Sequence, residues 1–431
     1  MSNEQQDPDL QLPWAEPAWF SSLESPYYNE SHRELQAYVR QYIDKNILAH
    51  NLEWEEDGDC PDAVKEDYIK SGLAFADIPA QYRPPGLKPV AGITPEKLDI
   101  FHAMILSDEV ARIEGGVGIA LAGANTIGVP PILNHGTEEQ KQQWLPGLFT
   151  RETSFCLGIT EPSGGSDVGN IYTKAVKATD GSHFIVTGTK KWITGAQWAT
   201  HMTTAVRTGG PGMGGISLLV VPLRSDGVEI EKIHNSGQNA GGASWVRMRN
   251  VRVPVENLLG RENAGFKYVM TNFNKERFIM AVICNRKART CLSTALQYAC
   301  SRETFGKPLV YHQIIRHKII TLAREVESHW AWLEQIAYHI QTHGWQSDDI
   351  AGRIAMAKIS GGRMLELAAR EAQQIMGGVA YQRHGPGGGG RVEQITRDLR
   401  MMVVGGGSEE IIGDLAFRQE MKTAQKKSSK L

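Results

Sequence analysis

The chain has 431 residues, of which 41% are hydrophobic and 22% are charged, and its formal net charge is -2. This length exceeds what a single hydrophobic core usually holds, so we expect two or three packed units. The near-neutral charge excludes the strong positive field that attracts nucleic acids or anionic membranes. No apolar run reaches the roughly 18 residues of a membrane span. The sequence therefore predicts a globular protein that binds neither nucleic acid nor membrane.

The first third of the sequence has the apolar spacing of helices. One stretch runs from Leu35 to Ile47 with apolar residues at helical period. Capping patterns predict helix starts at Ser31 with Glu34, Thr94 with Pro95, and Thr137 with Gln140. We predict an all-α domain over residues 1–154.

The pattern changes near Phe155, where short β-branched runs begin to alternate with turns. Residues 158–167 read Gly-Ile-Thr-Glu-Pro-Ser-Gly-Gly-Ser-Asp, and the proline and glycines force a turn whose amides can approach a ligand. Thr160 and Ser166 add hydroxyl donors. A strand predicted from His183 ends in Lys-Trp-Ile-Thr at 191–194. These two pieces suit a flat, polar aromatic cofactor, held by a β-domain that we place at 155–262.

The last part of the sequence returns to helical period. We predict helices over 266–302, 312–343 and 348–376, with a last one after Ser408, which together form a four-helix bundle within residues 263–428. The glycine-rich segment 385–390 is predicted to be a flexible loop.

Cysteine usage and the chain ends predict the compartment. The cysteines at 60, 156, 284, 291 and 300 show no metal-ligand spacing, and we expect reduced core residues. The first thirty residues resemble neither a secretory nor a mitochondrial presequence. The terminal Ser429, Lys430 and Leu431 resemble the signal that the peroxisomal import receptor recognises, so we expect a peroxisomal protein.

Five motifs in order resemble those of the acyl-CoA dehydrogenase family. The Thr-Glu-Pro-x-x-Gly-Ser-Asp turn and the Trp-Ile-Thr strand are followed by Arg-x-Thr-Phe-Gly at 302–306, Gln-x-x-Gly-Gly at 374–378 and Gly-Ser-x-Glu-Ile at 407–411. The resemblance implies a mainly α fold, with an N-terminal helical domain, a central small β-barrel and a C-terminal four-helix bundle. It also implies an FAD cofactor and a homo-oligomer, either a tetramer or a dimer.

The resemblance assigns residues to FAD along most of the chain. These residues are Leu157, Ile159, Thr160, Gly165, Ser166, Trp192, Thr194, Arg302, Thr304, Phe305, Leu309, His312, Gln374, Gly377, Gly378, Ser408 and Glu410. In the family, the counterparts of Arg302, Thr304, Phe305, Gln374, Gly377 and Gly378 contact the FAD of a neighbouring subunit. Assembly would then be part of cofactor binding.

The catalytic base is implied by a paired departure from the usual family pattern. Many members carry a glutamate in the last loop, where this chain has Gly406. The long-chain and isovaleryl branches carry it instead at the position of Glu276, which we expect at the start of the long helix. Glu276 would then take the α-proton of an acyl-CoA thioester while flavin N5 takes the β-hydride, and its own amide would polarise the thioester carbonyl. The implied substrate contacts are Ser166, Asn274 and Arg277.

Other interpretations stay open at this point. A glutamate near a helix start is usually an exposed residue that complements the helix dipole. The electron acceptor could be a flavoprotein, molecular oxygen as in an acyl-CoA oxidase, or another oxidant. A nitroalkane oxidase and a non-catalytic flavoprotein on the same scaffold are further alternatives. The acyl group is not specified, although Gly406 could leave room for a branched or bulky chain.

Overall fold

The computed structural model describes residues 12–345, 347 and 349–428. They form two compact units. The first unit comprises the described residues up to Glu53, Leu98–Gly115 and the described residues from Asn274 onward, and the second comprises Trp54–Lys97 and Gly116–Phe273. The tripeptide predicted to bind the import receptor lies outside the described residues. Within the described ranges, no helix combines the length and hydropathy of a membrane-spanning segment.

The part of the chain before the sheet is helical, as predicted. Its helices are α1 Ala18–Ser21, α2 Glu30–Asn46, α3 Asn51–Asp57, α4 Asp62–Lys70, α5 Ile100–Val110, α6 Asn125–Gly128, α7 Pro130–His135, α8 Glu138–Trp144 and α9 Gly147–Thr150. A π-helical turn, Ile119–Gly123, precedes α6. The Thr137 cap with Gln140 is confirmed.

The two other predicted caps are wrong. Helix α2 is capped by Asn29 together with His32, and α5 by Asp99 together with His102. In both cases a stronger Asn or Asp cap lies close to the predicted residue and takes its place. The Thr94 and Pro95 pattern instead precedes a short 3-10 turn, Pro95–Lys97.

The middle of the chain forms one eight-stranded sheet. Its strands are β1 Phe155–Gly158, β2 Lys174–Lys177, β3 His183–Ile193, β4 His201–Arg207, β5 Ile216–Pro222, β6 Val228–Lys232, β7 Ser244–Pro254 and β8 Leu258–Leu259. Their order is β6-β7-β3-β2-β4-β5-β8, and β1 pairs in parallel with β4. Alternating apolar side chains of β3, β4, β5 and β7 fill the core of this domain. That core gives the cofactor turn after β1 a rigid base.

The C-terminal part has one more helix than the sequence predicted. Helices α10 Gly265–Ser301, α11 Gln313–His343, α12 Ala351–Met376 and α14 Glu409–Ser428 correspond to the four predicted ones, and a hairpin of β9 Glu303–Thr304 and β10 Lys307–Pro308 follows α10. The additional helix is α13, Gly389–Val404. Buried apolar residues of α10, α11, α12 and α13 share one core.

The glycine-rich segment 385–390 is packed at its two ends and exposed at residues 386–388, so the prediction of a flexible loop is wrong for the buried Gly389 and Gly390. A Cβ atom added at Gly388 would collide with the Thr294 side chain, and one at Gly389 would collide with the carbonyl oxygen of Val379. Gly389 and Gly390 are buried in the first turn of α13. The glycines are therefore needed for close backbone approach.

Helix α10, which carries Glu276, is anchored by buried arginines. Arg286 donates to the carbonyl oxygen of Ala15 at 3.0 Å and to the Glu16 carboxylate at 2.8 Å, and Arg289 donates to the carbonyl oxygen of Glu16 at 3.1 Å. Such charge-assisted bonds are stronger than neutral ones. They hold one face of α10 at a fixed place in the first unit.

The cysteines are all free thiols, as expected for reduced residues. Four of them are buried, but Cys300 is exposed, so the prediction of five core cysteines is wrong for that one. It lies in the last turn of α10, where the helix leaves the bundle core.

Candidate active site

The turn after β1 is held at its centre by a buried ion pair. Glu161 accepts hydrogen bonds from the amides of Tyr172 at 2.6 Å and Thr173 at 2.9 Å. The Lys190 ammonium lies 2.8 Å from the Glu161 carboxylate and donates to the carbonyl oxygen of Ile159 at 2.9 Å. The turn is therefore fixed from inside the β-domain, which leaves its outer backbone for a ligand.

Burial shifts the titration of this pair. It lowers the pKa of Lys190 to about 8, against the attraction of Glu161. Burial also raises the pKa of Glu161, but the nearby Lys190 charge and the hydrogen bonds outweigh it, so that pKa lies below its usual value. At neutral pH both groups are charged, and each is the main partner of the other.

Strand β3 brings the second predicted piece next to the turn. The amide of Lys191 donates to the carbonyl oxygen of Thr160 at 2.9 Å. The register of β3 against β7 shifts between Lys190 and Ile193, and at this bulge Trp192 has a φ of 64°. A bulge re-aims the side chain it carries. The Trp192 indole is 51% exposed, and the Lys191 ammonium lies 4.7 Å from the centroid of the ring. The exposed part of the ring can contact a flat ligand.

The other predicted cofactor residues of this unit differ in exposure. Leu157 and Ile159 are buried, Thr160 and Thr194 are half-buried, and Gly165 and Ser166 are exposed. A Cβ atom at Gly165 would meet no heavy atom within 4 Å. The apolar residues therefore support the turn, while the hydroxyl groups and the glycine backbone line its accessible side.

The corner after α10 carries the next group of predicted residues. The amide of Leu309 donates to the carbonyl oxygen of Arg302 at 2.8 Å, which closes the β9–β10 hairpin. The His312 ring nitrogen lies 3.3 Å from the carbonyl oxygen of Thr304. Phe305, at the tip, has a φ of 51° and is 97% exposed. A rigid hairpin thus presents a phenylalanine and an exposed arginine to the outside.

Three more predicted residues lie where α12 ends. Gln374, Gly377 and Gly378 are all exposed. Gly377 has a φ of 64°, a conformation that favours glycine, and a Cβ atom there would meet no heavy atom within 4 Å. This end of α12 therefore offers open backbone, as a ligand or a second subunit would require.

Glu276 lies in the interior of α10, not at its start as predicted. The helix begins eleven residues earlier, at Gly265, so the alternative of an exposed residue complementing the helix dipole is also removed. Its amide belongs to the helix and is not placed to polarise a thioester carbonyl. The surrounding protein raises the pKa of Glu276 to about 8, although the Arg277 charge opposes this. A carboxyl group with this pKa is a competent general base near neutral pH.

The segment Val403–Gly407, which comprises the last two residues of α13 and the three glycines after it, lies beside Arg277 and is called the glycine loop below. Arg277 Nε donates to the carbonyl oxygen of Gly406 at 2.8 Å. Lys358 Nζ donates to the carbonyl oxygen of Val403, and to that of Gly407 at 3.0 Å. The backbone of the loop is thus bound by two cations, one from α10 and one from α12.

The space that we expected beside Gly406 for a branched or bulky acyl chain is limited by the side chain of Met280. A Cβ atom added there would lie 3.1 Å from Met280 Sδ and 3.5 Å from Arg277 Cγ. Met280 follows Glu276 by one helical turn, so both side chains lie on the same face of α10. Of the remaining predicted residues, Asn274 and Ser408 are half-buried and Glu410 is exposed.

Sequence reasoning missed two buried lysines that bind backbone carbonyl oxygens, Lys190 and Lys358. Lys190 has the same strand parity as the buried Phe184 and Val186, and Lys358 lies at helical period with the buried Ile354 and Leu365. Each periodicity marks a core position, which is unusual for lysine. That conflict between position and residue type is the signal that could have found them.

Comparison with known proteins gives the family. Models of the N-terminal, middle and C-terminal domains of acyl-CoA dehydrogenases match residues 29–152, 156–251 and 263–420. The chain is 44% identical to acyl-CoA dehydrogenase AFT10-1 of Alternaria alternata, over 95% of this chain and 96% of that protein. It is 40% identical to acyl-CoA dehydrogenase apdG of Emericella nidulans, over 97% of this chain and 98% of that protein.

Solved structures agree. A probable acyl-CoA dehydrogenase from Mycobacterium abscessus superposes with a TM-score of 0.82 at 30% identity, over 91% of this chain and 99% of that one. The chain belongs to the acyl-CoA dehydrogenase family. It has the fold of that family and is an oxidoreductase that uses FAD to dehydrogenate acyl-CoA.

The described residues fit FAD. The turn after β1 offers accessible hydroxyl groups at Thr160 and Ser166 and an uncovered backbone at Gly165, beside an indole that is half exposed. An isoalloxazine ring needs both, because it is flat and apolar on its faces and polar along its edge. The exposed Phe305 and Arg302 suit an aromatic base and a pyrophosphate. When bound, FAD supplies the acceptor for a hydride.

Proposed function

We propose that the protein converts an acyl-CoA thioester to its trans-2-enoyl-CoA, with Glu276 as the base that takes the α-proton. The observation that carries this proposal is the carboxyl group of Glu276 itself. It is placed by the long helix α10, its pKa is raised to about 8 by burial, and the glycine loop nearby has no carboxyl group at Gly406. Within the usual loop segment, no side chain competes for this role.

The neighbours of Glu276 suit this role. Arg277 is buried, and its guanidinium is directed to the carbonyl oxygen of Gly406. Because the amide of Glu276 belongs to its helix, the thioester oxygen needs other donors. We assign them to the amides of Gly406 and Gly407, since the Gly405 amide donates to the carbonyl oxygen of Met401 at 2.8 Å. Donors fixed before the reaction stabilise the enolate-like charge that forms as the α-proton leaves. Asn274 and Ser166 stay proposed contacts of the CoA moiety.

The same reaction with molecular oxygen as acceptor is the second candidate. It follows from the peroxisomal location expected from Ser429, Lys430 and Leu431, where an electron-transferring flavoprotein is not expected. Admitting air to the reduced protein separates the two, because an oxidase regains its flavin colour within seconds and a dehydrogenase does so slowly. Fluorescent fusions with and without the last three residues test the location.

We also propose a homo-oligomer, either a tetramer or a dimer, in which one subunit helps to hold the FAD of another. The exposed Phe305 and the open end of α12 at Gly377 support this proposal. A phenylalanine that is 97% exposed at the tip of a hairpin is free to stack on a ligand held by another subunit. Sedimentation of the FAD-loaded and FAD-free protein tests it, since assembly should weaken when FAD is removed.

The experiment for the base is an anaerobic titration of Glu276→Gln. A panel of acyl-CoAs of different length and branching is added to the yellow protein, and the flavin band is followed. The wild type should bleach with at least one of them, whereas Glu276→Gln should keep its FAD and bleach about a hundredfold to ten-thousandfold more slowly. Glu34→Gln, a change of an exposed glutamate in α2, is the matched control. Bleaching of Glu276→Gln at the wild-type rate would refute the assignment.

A further inference from the structure

Lys358 is a buried cation for which the reaction described above has no role. Its side chain is 1% exposed, and it extends from the middle of α12. Burying an ammonium group is costly unless its donors are satisfied. Among the described residues, its hydrogen bonds go to the carbonyl oxygens of Val403 and Gly407, at the two ends of the glycine loop. A buried lysine that binds only backbone fixes the course of that backbone.

The glycine loop needs such a support. Gly406 and Gly407 have φ angles of 68° and 110°, where other residues are strained, and their missing side chains cannot pack. Glycine also has more conformational freedom to lose on folding than any other residue. Without external bonds, a run of three glycines would sample many conformations. The two lysine bonds reduce that freedom at both ends of the loop.

The middle of the loop is bonded to the residue next to the proposed base. Arg277 Nε donates to the carbonyl oxygen of Gly406 at 2.8 Å. Arg277 is buried, and it follows Glu276 directly in the chain. If the loop moved, the guanidinium would lose this acceptor and would turn toward another one. A carboxylate is the strongest acceptor that a guanidinium can find.

We propose that Lys358 is a positioning residue for catalysis: it fixes the glycine loop so that Gly406 holds Arg277 and keeps its charge from neutralising Glu276. This inference rests on the proposed role of Glu276 as the base. Lys358 does not touch the reacting atoms in this account. It acts through the loop and the arginine, and the same bonds hold the loop amides that we assign to the thioester oxygen.

The charges around these groups are compatible with this role. Burial lowers the pKa of Lys358 to about 8, with Arg277 acting in the same direction and Cys284 and Glu409 against it. Lys358 is therefore still an ammonium at pH 7. The charge that opposes the raised pKa of Glu276 is that of Arg277.

The test measures the rate of anaerobic flavin reduction by acyl-CoA against pH for Lys358→Met. Releasing the loop lets Arg277 approach Glu276, so the acid limb should move to lower pH by about one unit, and the plateau should fall, while the FAD content is unchanged. Lys358→Arg should restore most of the wild-type profile. An unchanged limb contradicts the inference, and so does a shift to higher pH, which is what loss of a positive charge alone would cause.

Two further variants separate a specific effect of Lys358 from a general loss of stability. Lys287→Met removes another buried lysine of the same unit, bonded to Glu114 and to the carbonyl oxygen of Ala111, and should lower stability without moving the acid limb. If Lys358→Met does not fold, Lys358→Gln, which can still donate to one carbonyl oxygen, should show a smaller shift in the same direction.

The failure of this inference can be distinguished from the failure of the proposed base. Fast bleaching of Glu276→Gln would refute the proposed base itself. An inactive Glu276→Gln with an unshifted Lys358 variant would defeat only the role of Lys358.

Discussion

The turn after β1 and the glycine loop are both held by a buried lysine, yet they differ in the functional groups that they present. Lys190 bonds the carbonyl oxygen of Ile159 and pairs with Glu161, and Lys358 bonds the carbonyl oxygens of Val403 and Gly407. The first turn has its own acid inside and hydroxyl groups outside. The glycine loop has neither, and its only functional groups are backbone.

The difference shows how each segment contributes to the reaction. In the first turn the buried pair fixes a surface whose hydroxyl groups and amides are the proposed contacts of the cofactor. In the glycine loop the lysine fixes only a path for the backbone, and the proposed base, Glu276, lies on the helix beside it. A change in the first turn should therefore affect cofactor binding, whereas a change in the glycine loop should affect the reaction.

The largest effect is expected for Lys190→Met. It leaves the Glu161 carboxylate buried without its main partner, which typically costs about 3–5 kcal/mol. The protein should be purified with little flavin and should unfold at a much lower temperature, as measured by the ratio of absorbance at 450 and 280 nm and by thermal unfolding. Lys190→Met with Glu161→Gln should recover part of the loss, because no charge is then buried. The recovery is incomplete, since the Tyr172 and Thr173 amides bond different oxygens of the carboxylate and the glutamine oxygen can replace one of them. Full flavin content in Lys190→Met would contradict the proposed role of the buried pair in cofactor binding.

A smaller effect is expected for Gly407→Ala. The φ angle of 110° and the contact of the added Cβ atom with Ile412 Cγ2 at 2.6 Å should together cost about 1–3 kcal/mol. Flavin content should stay near that of the wild type, while reduction by acyl-CoA slows. Gly413→Ala, where a Cβ atom would meet Ile359 at an ordinary 3.6 Å, should be neutral or slightly stabilising. Loss of flavin from Gly407→Ala would show that the glycine loop also affects cofactor binding, against the distinction drawn between the two segments.

Phe305→Ala should weaken the binding of the cofactor without lowering the stability of the fold. The ring is 97% exposed, so its removal should change the free energy of unfolding by less than about 0.5 kcal/mol. If it stacks on the cofactor of another subunit, the dissociation constant of FAD should rise about tenfold, which fluorescence quenching can measure. Phe417→Ala, another exposed phenylalanine, is the control and should leave FAD binding unchanged.

The smallest effect expected is a gain in stability for Glu276→Gln. The folded pKa of about 8 lies above the usual value of 4.5, so the wild type is stabilised by the bound proton below pH 4.5 and loses that stability as pH rises through 8. The variant does not titrate there. Its melting temperature should exceed that of the wild type by several degrees more at pH 9 than at pH 5, since most of the pKa difference falls in this interval. Equal differences at both values would contradict the raised pKa.

Much of this fold was predictable from the sequence, because its signals are local. The change from period 3.6 to period 2 near Phe155 and back near Gly265 marks the order of helical and β regions. The cofactor turn was also predictable, since Pro162 and the glycines force it and Thr160 and Ser166 provide the donors. Helix α13 was missed because its first two residues are glycines, which disfavour helices unless close packing requires them.

The supports of the site were not predictable in the same way. Lys190 and Lys358 become partners of backbone carbonyls only through tertiary packing, and a lysine in a sequence is read as exposed. The position of Glu276 along α10 depends on where that helix begins, and helix starts shift when a better cap lies nearby, as at Asn29 and Asp99. Motifs thus predict which residues meet a ligand better than they predict what holds those residues in place.

The central claim is that Glu276, a half-buried residue whose pKa is raised to about 8, is the base. The most direct test is the second-order rate of anaerobic flavin reduction by acyl-CoA, measured from pH 6 to pH 9.5 for the wild type and Glu276→Gln. The rate for the wild type should rise about tenfold per pH unit and level off near pH 8, where the free carboxyl group loses its proton, and the variant should be slow and flat. A wild-type rate independent of pH in this range, or a variant that keeps the wild-type profile, would contradict the account.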